Sequence, residues 1–408
     1  ESLVPEKGLI RDIYNYYCQT AFYCSPIMGM ATAMSLVETL FGRRVQTDNG
    51  CRVNDYNVVL AATGSGKENC QKTITRIMQA ASALHMILPS GVQSGNGLLT
   101  ALSEQPCSLW IKDEFGAYLE AVFGKKKNPH KEDVGRLLLE LYNLSDSYFS
   151  GNAHSSGSKC QIEQPHLSLL GLSTAGGLAN NLDYSVIEGG SMSRMSWWIV
   201  TERPRMQNVK IVPVPDWLAF KVRSWVEYQP EEGLPPRPQP ATIPLSPEAQ
   251  ERLEAHKLAI VKKQESESSM VSALWTRTAH RTLKFALCSF CSRIAGPQEI
   301  STFNGVGISL EDVEWGIKLS NWLTRSAVDF ACVTAVDHDQ AKAELTILDF
   351  VNKTNDWVST KLIQKNRKLQ KNTIVSAMLK LEREGKIEVA RKSYGQKEKI
   401  SLRRAQKP

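Results

Sequence analysis

The stretch that most constrains this chain runs from Tyr56 to Asn69: an apolar run, Tyr56-Asn-Val-Val-Leu-Ala, passes directly into Ala61-Ala-Thr-Gly-Ser-Gly-Lys-Glu. A short strand feeding a glycine-rich turn that ends in Gly-Lys is the pattern of a phosphate cradle. Its glycines let successive backbone N–H groups converge on an anion, and the helix that follows adds the partial positive charge of its N-terminus. Thr63, Gly64, Ser65 and Gly66 would form the cradle, Lys67 would reach the terminal phosphates, and Glu68 and Asn69 would open the helix. Two positions depart from the P-loop (Walker A) pattern: Ala61 replaces the first glycine, and Glu68 stands where a Mg²⁺-binding hydroxyl is expected. Alone, the segment also reads as an ordinary tight turn.

A second segment tips the balance. Cys107-Ser-Leu-Trp-Ile-Lys runs apolar and strand-like into Asp113-Glu114. Carboxylates at the end of a buried strand need a partner, because desolvating a lone charge is costly. In a P-loop ATPase the first, Asp113, holds Mg²⁺, and the second, Glu114, orients the attacking water as base. The plainer reading is a surface strand end with two solvated acids. Taken with the upstream turn, the pair points to ATP hydrolysis with ATP and Mg²⁺ as cofactors.

At 408 residues the chain has room for two or three domains, and 42% hydrophobic residues is ordinary for a globular protein. No run of 18 apolar residues and no charged-then-apolar leader appears, so neither a membrane span nor secretion is expected. The nine cysteines lack framework spacing, which suggests a reduced, cytoplasmic setting. Cys288 and Cys291 form a CxxC, but in an apolar helical stretch with no second ligand pair, so core packing is expected there rather than zinc. A start at Glu1 instead of Met suggests a piece of something longer.

Charge is unevenly distributed. Residues 342–408 hold 17 Lys and Arg against 7 Asp and Glu, a local +10 within a net of +7. A basic C-terminal module on a near-neutral body suggests nucleic-acid contact. The expected organisation is an N-terminal helical segment (1–45), a P-loop ATPase core of alternating strands and helices (46–203), and a Pro-rich connection or extended arm (204–247). A helical lid (248–338) and a basic winged helix (339–408) follow. Ser246-Pro-Glu-Ala-Gln is expected to open the lid's helical segment, which ends near Val336, and Ser309 to cap a second helix within it. In the tail, Val358–Lys365 reads as a short helix, Asn372 as the cap of the next, and Ile387–Leu402 as two strands around a basic turn. The third helix and wing would meet duplex DNA through Lys371, Arg391, Lys392 and Lys397. A winged helix used for protein contacts is the alternative. The fold class is therefore α/β, a P-loop, AAA+-like three-layer core with an N-terminal helical collar, a helical lid and a C-terminal winged helix.

Several further segments recur in a known order: Gly42-Arg-Arg, the Gly-Ser-Gly-Lys turn, the Asp-Glu strand, Leu137-Leu-Leu-Glu-Leu-Tyr and Gln164-Pro-His-Leu-Ser-Leu-Leu-Gly. Glu188-Gly-Gly-Ser-Met-Ser-Arg-Met and Leu274-Trp-Thr-Arg complete the set. Over residues 5–335 the chain resembles the helicase part of phage and phage-satellite primase-helicases, relatives of superfamily 3 replicative helicases. The resemblance implies an AAA+-like ATPase that assembles as a ring, usually a hexamer, around DNA in the cytoplasm of a bacterial host, with single- and double-stranded DNA as partners. It also implies an upstream primase domain.

The resemblance also implies roles for residues. Ser173 or Thr174, ending the strand Leu167-Ser-Leu-Leu-Gly-Leu-Ser-Thr, would sense the γ-phosphate. The stretch from Ser147 to Ile162 reads as two short strands around a turn, where such rings place a channel hairpin; His154 and Lys159 would contact DNA phosphates there, with Phe149 a weaker candidate. Arg194 would be the finger that reaches a neighbouring subunit's ATP, and Arg277 the lid arginine. Glu68 is the departure that bears on mechanism, since either Mg²⁺ would have to lie between it and the phosphates or its side chain would have to turn away; bacterial enhancer-binding ATPases also carry Gly-Lys-Glu. The competing readings are a non-helicase ring ATPase, of transcription activation or DNA packaging, and an ATP-binding DNA initiator that does not unwind.

Overall fold

A computed structural model describes residues 3–92, 94–123, 129–151, 160–176, 190–209, 212–230, 239–302, 307–354, 357–367, 371–394 and 397–404. The chain forms two compact units, Glu1–Val328 and Asp329–Pro408.

The first unit is built on a parallel sheet of four strands: β1 (Tyr56–Leu60), β2 (Cys107–Lys112), β3 (His166–Ser173) and β4 (Met195–Ile199). Their spatial order is β2-β3-β1-β4, all parallel. An isolated parallel bridge from Ile87 to Leu109 extends the sheet beyond β2. The P-loop strand β1 therefore lies inside the sheet, and the carboxylate strand β2 is separated from it by β3. β1 is buried throughout, as a parallel strand covered on both faces must be.

Helices cover both faces. On one side lie α1 (Leu9–Thr20) and α2 (Pro26–Phe41), the helices expected as a collar. Of α2, every residue from Met28 to Phe41 is buried, and it packs against β3, β1, β2 and β4 within the main apolar core. Ser25 caps it by accepting from the Met28 N–H at 3.4 Å, with Pro26 at its first position. α3 (Glu68–Ala80), which follows the P-loop, packs on α2 and α1. The other face carries α4 (Phe115–Phe123) and α5 (Pro129–Leu141), where the Tyr56 hydroxyl donates to the Leu138 carbonyl at 2.8 Å.

Beyond the sheet the chain departs from expectation first in the proline-rich connection. The Pro-rich stretch from Pro204 to Pro247 contains a helix, α6 (Asp216–Glu227), which buries Leu218, Ala219, Val222 and Trp225 against α3, α1 and α2. Leu218, Val222 and Trp225 fall at helical spacing, which the surrounding prolines obscure. The stretch also holds the strand Ala241–Ile243, paired parallel with Val45–Thr47. The helical region follows as α7 (Pro247–Ser266), α8 (Ser269–Trp275), α9 (Thr278–Arg293) and the short α10 (Gln298–Thr302). Ser246 caps α7, accepting from the Ala249 N–H at 3.2 Å. Cys288 and Cys291 are fully buried in α9 as core residues. Helix α11 runs unbroken from Leu310 to Thr354 with Ser309 as its cap, so no break occurs near Val336.

The second unit has its own core, including Ile347, Val351, Ile363, Ile374, Met378 and Leu402. Its elements are the end of α11, strand Val358–Ser359, α12 (Thr360–Arg367), α13 (Lys371–Arg383) and a hairpin of Ile387–Tyr394 with Lys397–Arg404. Strand Val358–Ser359 pairs with the second hairpin strand, completing the three-stranded sheet of a winged helix. Val358 thus begins a strand where a helix was expected, and Asn372 lies inside α13 instead of capping it. α13 ends at Gly385 in a left-handed conformation (φ 67°), with Gly385 and Lys386 N–H groups closing back on Glu382 and Leu381 carbonyls.

Candidate nucleotide site and the arginine edge

In a parallel sheet the strand ends at one edge are all C-terminal, and side chains from the following loops converge there. Register places Leu60 opposite both Ser173 and Ile199, and Lys112 opposite Gly171. The turn after β1, the carboxylates after β2 and the polar residues ending β3 therefore share one edge.

The turn itself has the shape its glycines permit. Gly64 and Gly66 hold φ of 71° and 82°, a left-handed conformation that side chains resist. Gly66 also sits against Tyr23, since a Cβ there would come 2.9 Å from the Tyr23 Cβ. α3 starts at Glu68 and has no side-chain cap at Lys67; the Asn69 and Cys70 N–H groups close back on the Gly66 and Lys67 carbonyls, each at 3.0 Å. Among the described residues no hydrogen bond engages the N–H groups of Gly64, Gly66 or Lys67. The Ser65 hydroxyl is buried without a partner among those residues. An anion in the turn would satisfy this donor set.

Lys67 spans the turn, donating from Nζ to the Ala61 carbonyl at 3.1 Å and the Ala62 carbonyl at 2.9 Å. Partial burial lowers its pKa, and Asp113 and Glu68 oppose that by favouring the charged form. Both carboxylates thus lie within electrostatic reach of its ammonium. Thr63, Gly64, Glu68, Asp113 and Glu114 are exposed, while Asn69 is buried and its amide reaches Thr73 Oγ1 at 3.4 Å. Oxygen donors of this kind suit Mg²⁺, which takes one or two carboxylates and fills the rest of its shell with phosphate and water. Among the described residues no cluster of three or more His, Cys, Asp or Glu could hold a metal alone.

Glu114 adopts a left-handed φ of 51°, and its N–H bonds back to Asp113 Oδ1 at 2.9 Å. Its carbonyl accepts from Ala117 and Tyr118 as α4 begins. A non-glycine residue in this region carries strain, which collects at functional sites. Ser173 is buried and accepts the Gly116 N–H at 3.1 Å, so it ties the end of β3 to the turn bearing the acids. Thr174, half-buried, follows it.

Arg194 and Arg277 lie at the opposite edge. Arg194 ends a short 3₁₀ turn, Met192–Arg194, immediately before β4, whose first residue pairs with Tyr56 at the start of β1. The length of β1, roughly 13 Å at 3.3 Å per residue, separates it from the P-loop. Arg194 Nη1 donates to the Gly190 carbonyl at 2.9 Å. Burial lowers its pKa, and the neighbouring Arg277 charge adds to this. Arg277 precedes α9 and is thereby brought to Arg194 and not to the P-loop.

Beneath this edge is a buried polar cluster that sequence reading missed. Asp55 accepts from the Ser196 hydroxyl and, at 3.2 Å, from the Tyr142 hydroxyl, and it faces Arg281 Nε at 3.4 Å. Lys284 donates to the Asn54 carbonyl and stacks over Tyr142 at 4.0 Å. Glu38 accepts from Asn57 at 2.6 Å, and burial, reinforced by Asp55, raises its pKa well above the usual carboxylate range. The available signal was a pair of cations, Arg281 and Lys284, three residues apart in α9.

Of the proposed DNA contacts, His154 and Lys159 lie outside the described residues. The hairpin base is present: Tyr148–Ser150 pairs antiparallel with Gln161–Glu163, Phe149 is buried, and Arg43 Nη2 donates to the Glu163 carbonyl at 3.3 Å. Lys371 is on α13, Lys392 and Lys397 are on the wing strands, and their side chains fall outside the description. Arg391 is exposed and paired with Glu382 at 2.9 Å. No described helix is long and apolar enough to cross a membrane.

No known family model matches the chain, and no curated protein matches it. Among solved structures it is similar to the ORC1 protein of Aeropyrum pernix, solved in complex with DNA, at 14% identity over 86% of this chain and 83% of that one, with a TM-score of 0.21. So loose a likeness carries neither fold nor function across. The fold stands on the strand order and on the edge where the turn, the acids and Ser173 meet.

Proposed function

We propose that this chain is an ATPase that acts on DNA as an oligomer. The observation that carries the reading is the meeting at one sheet edge of an uncapped helix N-terminus, Lys67 and the Asp113–Glu114 pair. Backbone N–H groups of Gly64, Gly66, Lys67 and Glu68 would cradle the phosphates, and Lys67 would turn from its own carbonyls to the terminal phosphate. Bound Mg²⁺, held by Asp113 with Glu68 as a second carboxylate, would supply neutralising charge to the phosphates. Glu114 would take the proton of the attacking water, and Ser173 or Thr174 would register the state of the γ-phosphate.

Arg194 supports the oligomer. It lies a sheet's length from its own site, so its guanidinium serves a phosphoryl group only on a neighbouring subunit. Arg277, beside it, would face the same neighbour. A ring of such subunits, hexameric by resemblance, would bring hairpin 148–163 to DNA, and the winged helix would add a duplex contact. Strand separation by a replicative helicase of a phage or mobile element is the finer form of this reading; the position of the hairpin, directly before β3, favours it. An initiator that binds DNA and ATP without unwinding is the second form, favoured by the basic winged-helix unit.

ATP turnover measured with and without a forked duplex, with strand separation followed in parallel, tests the reading. DNA-stimulated turnover with separation supports the helicase, and turnover without separation supports the initiator. Absence of both turnover and nucleotide binding refutes the proposal.

A further inference from the structure

We infer that Arg281 is a positioning residue for Arg194, locking the turn that presents it through two main-chain hydrogen bonds. This rests on the proposed role of Arg194 toward a neighbouring subunit's nucleotide. Arg281 Nη2 donates to the Ser193 carbonyl at 2.7 Å and to the Met195 carbonyl at 3.1 Å, the two peptide oxygens that flank Arg194. Its Nε faces Asp55 Oδ2 at 3.4 Å, and the two side chains are 2% and 0% exposed. The Trp197 indole donates to the Met192 carbonyl at 3.0 Å, fixing the same turn from its other side. The backbone on either side of Arg194 is therefore staked, while among the described residues the Arg194 side chain reaches one main-chain carbonyl, that of Gly190.

A fixed base with a lightly held tip suits a group that must meet a partner on another molecule. Positioning of this kind matters because a displacement of about 1 Å at a reacting group can cost about 100-fold in rate. Arg281 suits the task because one nitrogen, Nη2, reaches both carbonyls while the rigid planar guanidinium keeps its charge against Asp55. Lysine would keep the charge against Asp55 but lose that fixed geometry. Because Arg281 sits on the second turn of α9, movement of the helical region would be felt at Arg194 through these same bonds.

The test uses the full chain and three variants: Arg194→Ala, Arg281→Lys and the double substitution. Thermal midpoint, solution mass, affinity for a fluorescent ATP analogue, and DNA-stimulated kcat and KM are measured for each. Expected is a fall in kcat of about 10- to 100-fold for Arg281→Lys, with KM and oligomer mass held, and no further fall when it is added to Arg194→Ala. That non-additivity marks residues acting as one unit, which a general packing defect would not show. If Arg194→Ala alone keeps full turnover, the finger reading fails and the inference falls with it. If Arg194→Ala loses turnover while Arg281→Lys keeps it, or the two losses multiply, only the positioning role fails. Should Arg281→Lys not fold, Arg281→Gln with Asp55→Asn, which removes both charges together, replaces it under the same criteria. Failure of both to fold makes Arg281 a purely structural residue and overturns the inference.

Discussion

Gly64 and Gly66 give a matched pair of substitutions whose costs the structure separates. Both hold a left-handed φ, 71° and 82°, and an alanine held there costs about 1–2 kcal/mol. They differ in surroundings: a Cβ on Gly64 meets nothing within 4 Å, whereas one on Gly66 lies 2.9 Å from the Tyr23 Cβ. Tyr23 cannot swing that atom away, because its Cβ is fixed by the backbone of a strand paired to Arg205–Met206. Overpacking of this kind adds about 1–3 kcal/mol, so Gly66→Ala is expected to cost about 2–5 kcal/mol and Gly64→Ala about 1–2 kcal/mol. The cost divides between folding and binding, since the loop relieves strain by moving the N–H groups that hold phosphate. The assay therefore sums two quantities, denaturant unfolding free energy and the affinity for a fluorescent ATP analogue. If the Gly66 loss fell wholly on binding, affinity would drop at least about 30-fold. Equal summed losses at the two positions, or a neutral Gly66→Ala, would refute the geometry argued for the cradle.

Two other expectations follow from the surroundings of single residues. His166 is buried with Nε2 2.9 Å from the Glu38 carbonyl, and burial depresses its pKa to about 3. A histidine kept neutral in the fold but free to protonate when unfolded destabilises the fold as pH drops below its ordinary value near 6.5. From pH 7 to pH 5 the wild type should lose about 2 kcal/mol more unfolding free energy than His166→Gln; parallel pH profiles would contradict this. In the second unit, Arg391→Ala should weaken duplex binding and reduce the salt slope by about 1. Glu382→Ala, which releases Arg391 from its ion pair, should hold or strengthen binding; weaker binding in Glu382→Ala would remove Arg391 from the interface.

The legible parts of this chain were local ones. The strand, turn and helix from Tyr56 to Ala80 and the strand closing on Asp113-Glu114 each carry their signal within a few residues. So do the caps Ser246 and Ser309, whose hydroxyls bond N–H groups three residues on. Helix Asp216–Glu227 was missed because proline density on both sides outweighed its apolar spacing. The strand at Val358 was missed because its identity comes from a partner, Leu402, far along the chain. Least legible was the Asp55–Arg281 contact, which joins residues more than 200 positions apart. Nothing local distinguishes Arg281 from Arg277, yet one is buried against Asp55 and the other stands half-buried near Arg194.

The central claim is that the Ala61–Glu68 turn binds and hydrolyses ATP through Lys67. Steady-state ATP turnover of wild type and Lys67→Ala, each checked for the same unfolding midpoint, tests it most directly. The account predicts turnover in the wild type and a loss of at least about 100-fold in Lys67→Ala, with the unfolding midpoint retained. Unchanged turnover in a folded Lys67→Ala protein would contradict it.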